Sequence, residues 1–213
     1  MNAADSVLQR SFPTVMVPRR EPVEPMESAG ERFLMAENGV FLEISRPWIS
    51  LVRRVAEIAQ QIAIPYGRAK EYTELACGRV PEELIGEFVA MARAAYPNET
   101  GAWVVWATTT GHFRLAPMVV LSHTSGSLNY ERPELGPDEV LIVDCHSHGK
   151  YPAFFSETDN EDDKHDIKFS LVVGNCASHV PSFAFRLCAK GIFEDIPRVP
   201  AAWYAVSMLT GVV

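Results

Sequence analysis

A chain of 213 residues with 47% apolar, 22% charged and 10% aromatic side chains can bury a real core, and its length suits one main domain of about 150 residues with an added N-terminal portion. Nineteen basic against 27 acidic residues give a net charge of −8, which argues against a general phosphate-backbone binder, because such proteins present a basic face. No window approaches the roughly 18 uninterrupted apolar residues of a membrane-spanning helix.

The opening stretch MNAADSVLQRSFPTVMVPRR has no basic start followed by an apolar segment, so no secretory signal is expected and the setting is read as cytoplasmic. Cys77, Cys145, Cys176 and Cys188 form no C-x-x-C pair and fit buried thiols in a reducing compartment.

Residues 1 to about 30 hold Pro13, Pro18, Pro22 and Pro25, and this part is expected as an extended arm, since no helix runs through that spacing. In RFLMAENGVFLEIS two apolar runs flank Asn38-Gly39, the signature of a tight hairpin. Ser45 then serves as an N-cap with Pro47 near a first helical position. Trp48, Leu51, Val52, Val55, Ile58, Ala59 and Ile62 follow as one helical stripe. The arm, hairpin and helix make an N-terminal extension, residues 1–70, and the main domain spans 71–213.

Within the main domain Tyr72 to Cys77 is expected as a strand. Pro81 opens a helix with the stripe Leu84, Ile85, Phe88, Val89, Ala92, Ala95 and Tyr96, closed by Pro97-Asn98. AWVVWA, FRLAPMVVL, EVLIVDC, FSLVVGN and SFAFRLCAKG read as strands, 122–138 as a long loop, the segment from Ser156 as a polar helix, and AAWYAVSML as a terminal helix. Interleaved strands and helices place the fold in the α/β or α+β class, with a mixed sheet flanked by helices.

The chemistry lies in His146-Ser147-His148, seven further residues, Ser156, two more, and Asp159. Two histidines at i and i+2 leaving a strand point to one side, and their ring nitrogens can meet at one ion. Ser156 can cap the next helix, with Asp159 in its first turn. Two imidazoles and a carboxylate with a fourth position open make a catalytic rather than a structural zinc site. Zinc, one per chain, is the default; ligand type does not separate it from iron or manganese. A base is still needed, and Glu99, just before AWVVWA with Thr100 and Gly101 beside it, is the candidate.

This pattern, with its upstream Glu in Asn98-Glu99-Thr100-Gly101, resembles the JAMM signature of the JAB/MPN metalloprotease family over roughly residues 71 to 195. The resemblance implies a JAB/MPN, deaminase-like sheet, zinc held by His146, His148 and Asp159, and Glu99 as general acid/base. Ser156 becomes the group that holds the water or polarises the carbonyl. The family likeness further implies an amide bond at the C-terminus of a ubiquitin-like or other protein substrate, with an activating-enzyme homologue as a partner. The whole chain also resembles protein A of the bacterial PRTRC gene system. Where many relatives have proline after the second histidine, this chain has Gly149-Lys150, expected to loosen the loop without removing a ligand. Lys150, Tyr151, Phe154 and Phe155 are the candidate substrate contacts.

Two other readings stay open: a JAB/MPN scaffold that binds without chemistry, and a nucleic-acid-associated relative of the RadC-like branch, against which the charge of −8 weighs. A zinc nucleoside deaminase is disfavoured, because H-x-E with a following P-C-x-x-C is missing. In the acidic run SETDNEDDKHD only Asp159 is assigned a role, the rest being read as a solvated helix face. His112 and His123 have no partner visible in sequence.

Overall fold

The computed structural model describes residues 2–60 and 62–209. The chain divides between Gly78 and Arg79 into two compact units. The first opens with α1 (Ala3–Ser11), whose first turn is capped by the Asn2 side chain accepting from the Ala4 N–H. β1 (Thr14–Met16), β2 (Gly30–Ala36), β3 (Gly39–Arg46), β4 (Ile49–Ala56) and β5 (Tyr72–Leu75) follow in one five-stranded sheet in chain order. β1 and β2 run parallel and the other neighbours antiparallel. Leu34, Ala36, Phe41 and Val52 pack with Val17 as its core.

Two expectations are corrected here. Residues 1–30 are not wholly an extended arm, because the prolines begin at Pro13 and exclude a helix only from about there onward. Nor do Trp48 to Ile62 form a helix. Pro47-Trp48 is the turn of a hairpin in which Arg46 pairs with Ile49 and Ile44 with Leu51. A proline of fixed φ suits a turn as well as a first helical position. With Ile49, Leu51 and Val52 all buried, the strand is covered on both faces, so the polar–apolar alternation that would announce it is missing. The hairpin at Asn38-Gly39 does form, and the Asn38 amide exchanges two hydrogen bonds with the Ala69 backbone.

The second unit is the mixed α/β domain that the sequence leads one to expect. Its elements are α2 (Glu82–Ala95), β6 (Gly101–Ala107), β7 (Phe113–Pro117), β8 (Val119–Thr124), β9 (Ser127–Glu131), β10 (Glu139–Ser147), α3 (Glu157–Asp163), β11 (Ile167–Gly174), β12 (Ser182–Ala189), β13 (Ile192–Asp195) and α4 (Ala201–Leu209). Six strands form a sheet in the order β13-β12-β11-β10-β6-β7. β10 and β11 are parallel, and a parallel pair needs a crossover connection; here that crossover carries α3. The carboxyl end of β10 therefore leads into the segment that carries α3.

Opposed pairs Asp144↔Trp103 and Leu141↔Val105 put those side chains on one face of the sheet. On the other, Val104, Val143 and Cys145 are fully buried. α2 packs against β6, β7 and β10 through Ile85, Phe88, Val89 and Ala92, none of them exposed. Arg93 donates to the backbone carbonyls of Cys176 and Ser207 and so ties α2 to the start of the loop after β11 and to α4.

Residues 122–138 are not all loop: β8 runs to Thr124 and β9 takes Ser127–Glu131, which leaves 132–138 irregular. FRLAPMVVL breaks at Met118, and β8 and β9 form a hairpin of their own. Half-buried Leu128 and Tyr130 of β9 pack against the cluster of Trp103, Val105, Ala116 and Met118. That alternation spans too few residues to stand out among serines and asparagine.

Nor is the acidic run only a solvated face. Asp163 is 6% exposed and Lys168 4%. Lys168 Nζ lies 2.6 Å from Asp144 Oδ2 and 2.8 Å from Asp163 Oδ1. Arg186 Nη2 lies 2.7 Å from Asp163 Oδ2, which also accepts from Ser170 Oγ. Burial alone would lower the Lys168 pKa, but the charges of Asp144 and Asp163 outweigh it and hold it above the ordinary lysine value. Burial likewise works to raise the Asp163 pKa, and Lys168 with its hydrogen-bond donors holds it below the usual range. Removing one partner of a buried ion cluster strands the others. Lys168→Met is therefore expected to lower the unfolding free energy by about 3–5 kcal/mol, read as a reduced urea midpoint with an unchanged m-value.

Candidate metal centre

β10 sends His146 out on the same face as Asp144, in register with Gly101 of β6 and Val172 of β11. The chain leaves the strand at His148, whose backbone N–H donates to the Val173 carbonyl. Between the histidines Ser147 turns the other way, and its hydroxyl accepts from the Thr100 N–H at 3.0 Å. This exchange, with Ser147 N–H donating to the Thr100 carbonyl, fixes the strand end against the residue that follows Glu99. Gly149 follows at φ +52, and a Cβ there would meet the Pro97 carbonyl oxygen at 2.2 Å. The glycine is thus required by close backbone approach rather than loosening the loop, which corrects the expectation for that position.

Ser156 caps α3 as the sequence suggests. Its hydroxyl accepts from the Asp159 N–H while Asp159 Oδ2 accepts from the Ser156 N–H at 2.6 Å, a reciprocal capping box. The same hydroxyl donates to Asp159 Oδ2 at 2.7 Å, so Ser156 is committed to orienting the carboxylate. That leaves Oδ1 turned to the histidines, 3.3 Å from His146 Nε2. The two Nε2 atoms are 3.2 Å apart, and one ligand atom from each of the three residues lies within 4.8 Å of the others.

Two imidazole nitrogens and a carboxylate oxygen crowded around one point are what a cation would satisfy, and two imidazoles with one carboxylate suit zinc or a similar divalent ion. Burial and the neighbouring His146 lower the His148 pKa against the opposing pull of Asp159, favouring the neutral, ligating form.

Glu99 lines the same cleft of about 490 Å³ as His146, His148, Ser156 and Asp159. It is held from both sides by β8: its N–H donates to the Thr124 carbonyl, and its carbonyl accepts from His123 Nδ1 at 2.7 Å. His123 therefore has a partner, one that only the hairpin could supply. Burial first, and then the charge of Asp159, push the Glu99 pKa up to about 7.

Of the substrate-contact candidates, Tyr151 and Phe154 line this cleft. The exposed Phe154 ring sits edge-on to His148, centroids 4.6 Å apart. Lys150 lies over the Tyr151 ring at 5.2 Å, and Phe155 lies under the Arg186 guanidinium at 3.9 Å; neither is among the residues lining the cleft. Sequence reasoning missed Tyr130, Arg132 and Lys168, which line its other end, and Asp163, although Asp163 stands four residues after Asp159 on the same helix side. Cys145 is fully buried, as its alternation with His146 implies, and His165 is exposed.

The raised Glu99 value has a consequence for stability. A carboxyl whose folded pKa lies near 7 rather than 4.5 adds stability at low pH that is lost as pH rises through that window. Thermal unfolding in chelator should show wild type losing ground to Glu99→Gln between pH 4.5 and 7, the gap then staying level; a gap independent of pH would remove the shift.

Residues 2–76 match a family described as a domain of unknown function, DUF2016. No curated protein matches the chain. Among solved structures, protein DSY2949 from Desulfitobacterium hafniense, determined in solution, is 20% identical over 54% of this chain and 86% of its own, with a TM-score of 0.39. That likeness is too slight to carry an argument. Residues 81–188 match the prokaryotic homologs of the JAB domain; these residues include β6, β10 and α3 with the whole ligand cluster, and the chain belongs to that family.

Proposed function

We propose that the second unit is a divalent-metal hydrolase of amide bonds, a JAMM-type peptidase or isopeptidase acting at the C-terminus of a ubiquitin-like or related protein. The observation that carries this reading is the convergence of His146, His148 and Asp159 within 4.8 Å in a cleft that also holds a carboxyl poised near pH 7. His146, His148 and Asp159 would hold the ion, zinc by default. Bound there, such an ion would supply Lewis acidity and lower the pKa of a bound water to about 7.

Burial raises the Glu99 pKa from the ordinary carboxyl value towards neutrality, and a general base works best with a pKa near the working pH. Glu99 takes a proton from the attacking water and returns it to the departing amine. Ser156 keeps Asp159 Oδ1 aimed at the histidines; a turn of its hydroxyl away from Asp159 would let it meet the substrate carbonyl. Tyr151 and Phe154 border the path of an extended substrate tail. The order of an N-terminal unit matching 2–76 and a JAB unit matching 81–188 supports extending the likeness to protein A of the PRTRC system, with an activating-enzyme homologue as a candidate partner.

Purified protein is expected to hold close to one zinc per chain by elemental analysis, and His146→Ala and Asp159→Ala to lose most of it. Glu99→Gln should keep the metal while hydrolysis of ubiquitin-like fusions and conjugates falls by about 10²–10⁴-fold. A folded wild-type protein without metal sinks the reading; stoichiometric metal with no cleavage of any such substrate would favour the scaffold.

A further inference from the structure

A second cavity of the same unit, about 610 Å³, has no part in the chemistry described above. Its walls come from the segment before α3, from β12 and β13, and from α4. Six rings face it: Phe154, Phe155, Phe183, Phe185, Phe193 and Tyr204. All but Phe154, which is exposed, are half-buried, so a large apolar surface is left open to a visitor. Phe183 meets Tyr204 edge-on at 5.0 Å, and Phe185 meets Trp203 at 5.1 Å, which makes the floor a packed aromatic lattice rather than loose side chains.

Two observations say what the visitor is. Phe154 lines both this groove and the catalytic cleft while its ring touches His148, so the groove continues the cleft. Arg186, only 3% exposed, also lines it, with its guanidinium 3.9 Å from the Phe155 centroid and 4.3 Å from that of Phe193. Its Nη atoms are used by Asn160, Asp163 and the Asp159 carbonyl, but its buried Nε finds no acceptor among the described residues. A buried N–H without an acceptor is costly, and a peptide carbonyl is the acceptor an extended chain brings.

We propose that this groove is a substrate subsite. It takes one bulky apolar or aromatic side chain of an extended peptide segment near the scissile bond, and a backbone carbonyl of that segment accepts from the buried Arg186 Nε–H as the Phe155 or Phe193 ring beside the guanidinium gives way. The inference rests on the peptidase reading for the scissile bond and adds the side chain that the chain selects. The volume lies within the 300–1,000 Å³ range of ligand pockets, and the aromatic lining with a single unsatisfied donor gives side-chain preference together with backbone register.

The test uses the full chain carrying Glu99→Gln, with zinc, and acetylated, amidated hexaglycine peptides bearing one phenylalanine at each position in turn. Binding is followed by NMR titration at the Arg186 Nε–H and the Trp203 indole N–H. Phenylalanine at one position is expected to tighten binding roughly tenfold or more over hexaglycine and to shift the Arg186 Nε–H, and Phe193→Ala and Tyr204→Ala should each cut that gain below about threefold with zinc content unchanged. Equal binding of all the peptides, no binding at all, or a gain that survives both substitutions overturns the subsite. Because binding is read without turnover, a wild-type protein that cleaves nothing would strike the peptidase reading alone.

Discussion

The seating of α3 over the carboxyl end of β10 turns separate side chains into a centre. Asp159 could not face His146 if this short helix slid or rotated, and three sets of interactions hold it. The capping box with Ser156 fixes its first turn. Arg186, reaching across from β12, donates to the Asn160 side chain and the Asp159 carbonyl. Asp163, near the last turn, is bound to Lys168 of β11, which in turn holds Asp144 of β10. The same buried ions therefore register the helix against both strands that the parallel crossover joins. Ionic anchoring suits this place because a helix of seven acidic and polar residues has little apolar surface with which to dock.

The electrostatics of the cleft follow from that seating. Burial first, and then the negative charge of Asp159, raise the Glu99 pKa to about 7, while a bound cation would offset that charge. Glu99 and Asp159 are thus coupled through space, although they sit 60 residues apart in the chain. Glu99 itself hangs from the β8–β9 hairpin through Thr124 and His123. Val119 and Leu121 of that hairpin are exposed, so the element that steadies Glu99 also presents apolar surface to whatever approaches.

The convergence of His146, His148 and Asp159 was legible from the order of residues because the relevant distances are local: i, i+2 on a strand and a capping box at a helix start are short-range geometries with fixed directions. Glu99 was legible only through the likeness of its surroundings to a known signature. The Lys168–Asp163–Arg186 cluster was hidden, since acidic runs are ordinarily solvated and nothing within ten residues announces that Asp163 is covered. The hairpin at 119–131 was hidden for another reason. Its strands are short, and its stability comes from packing Leu128 and Tyr130 on a distant strand.

The stretch after Pro47 marks the same boundary from the opposite side. Its apolar residues satisfy a helical period and a two-faced strand equally well, and pairing with β3 decides between them. What the amino-acid order by itself determined was the class of the main domain, the helices α2 and α4, and the His146–His148–Asp159 pattern with its Ser156 cap, all of which depend on contacts a few residues long. What the tertiary structure alone decided was which carboxylates are buried, where the hairpins lie, and which aromatic rings share a groove with an unpaired arginine donor. Those depend on surfaces brought together from remote parts of the chain, and neither periodicity nor spacing encodes the partner.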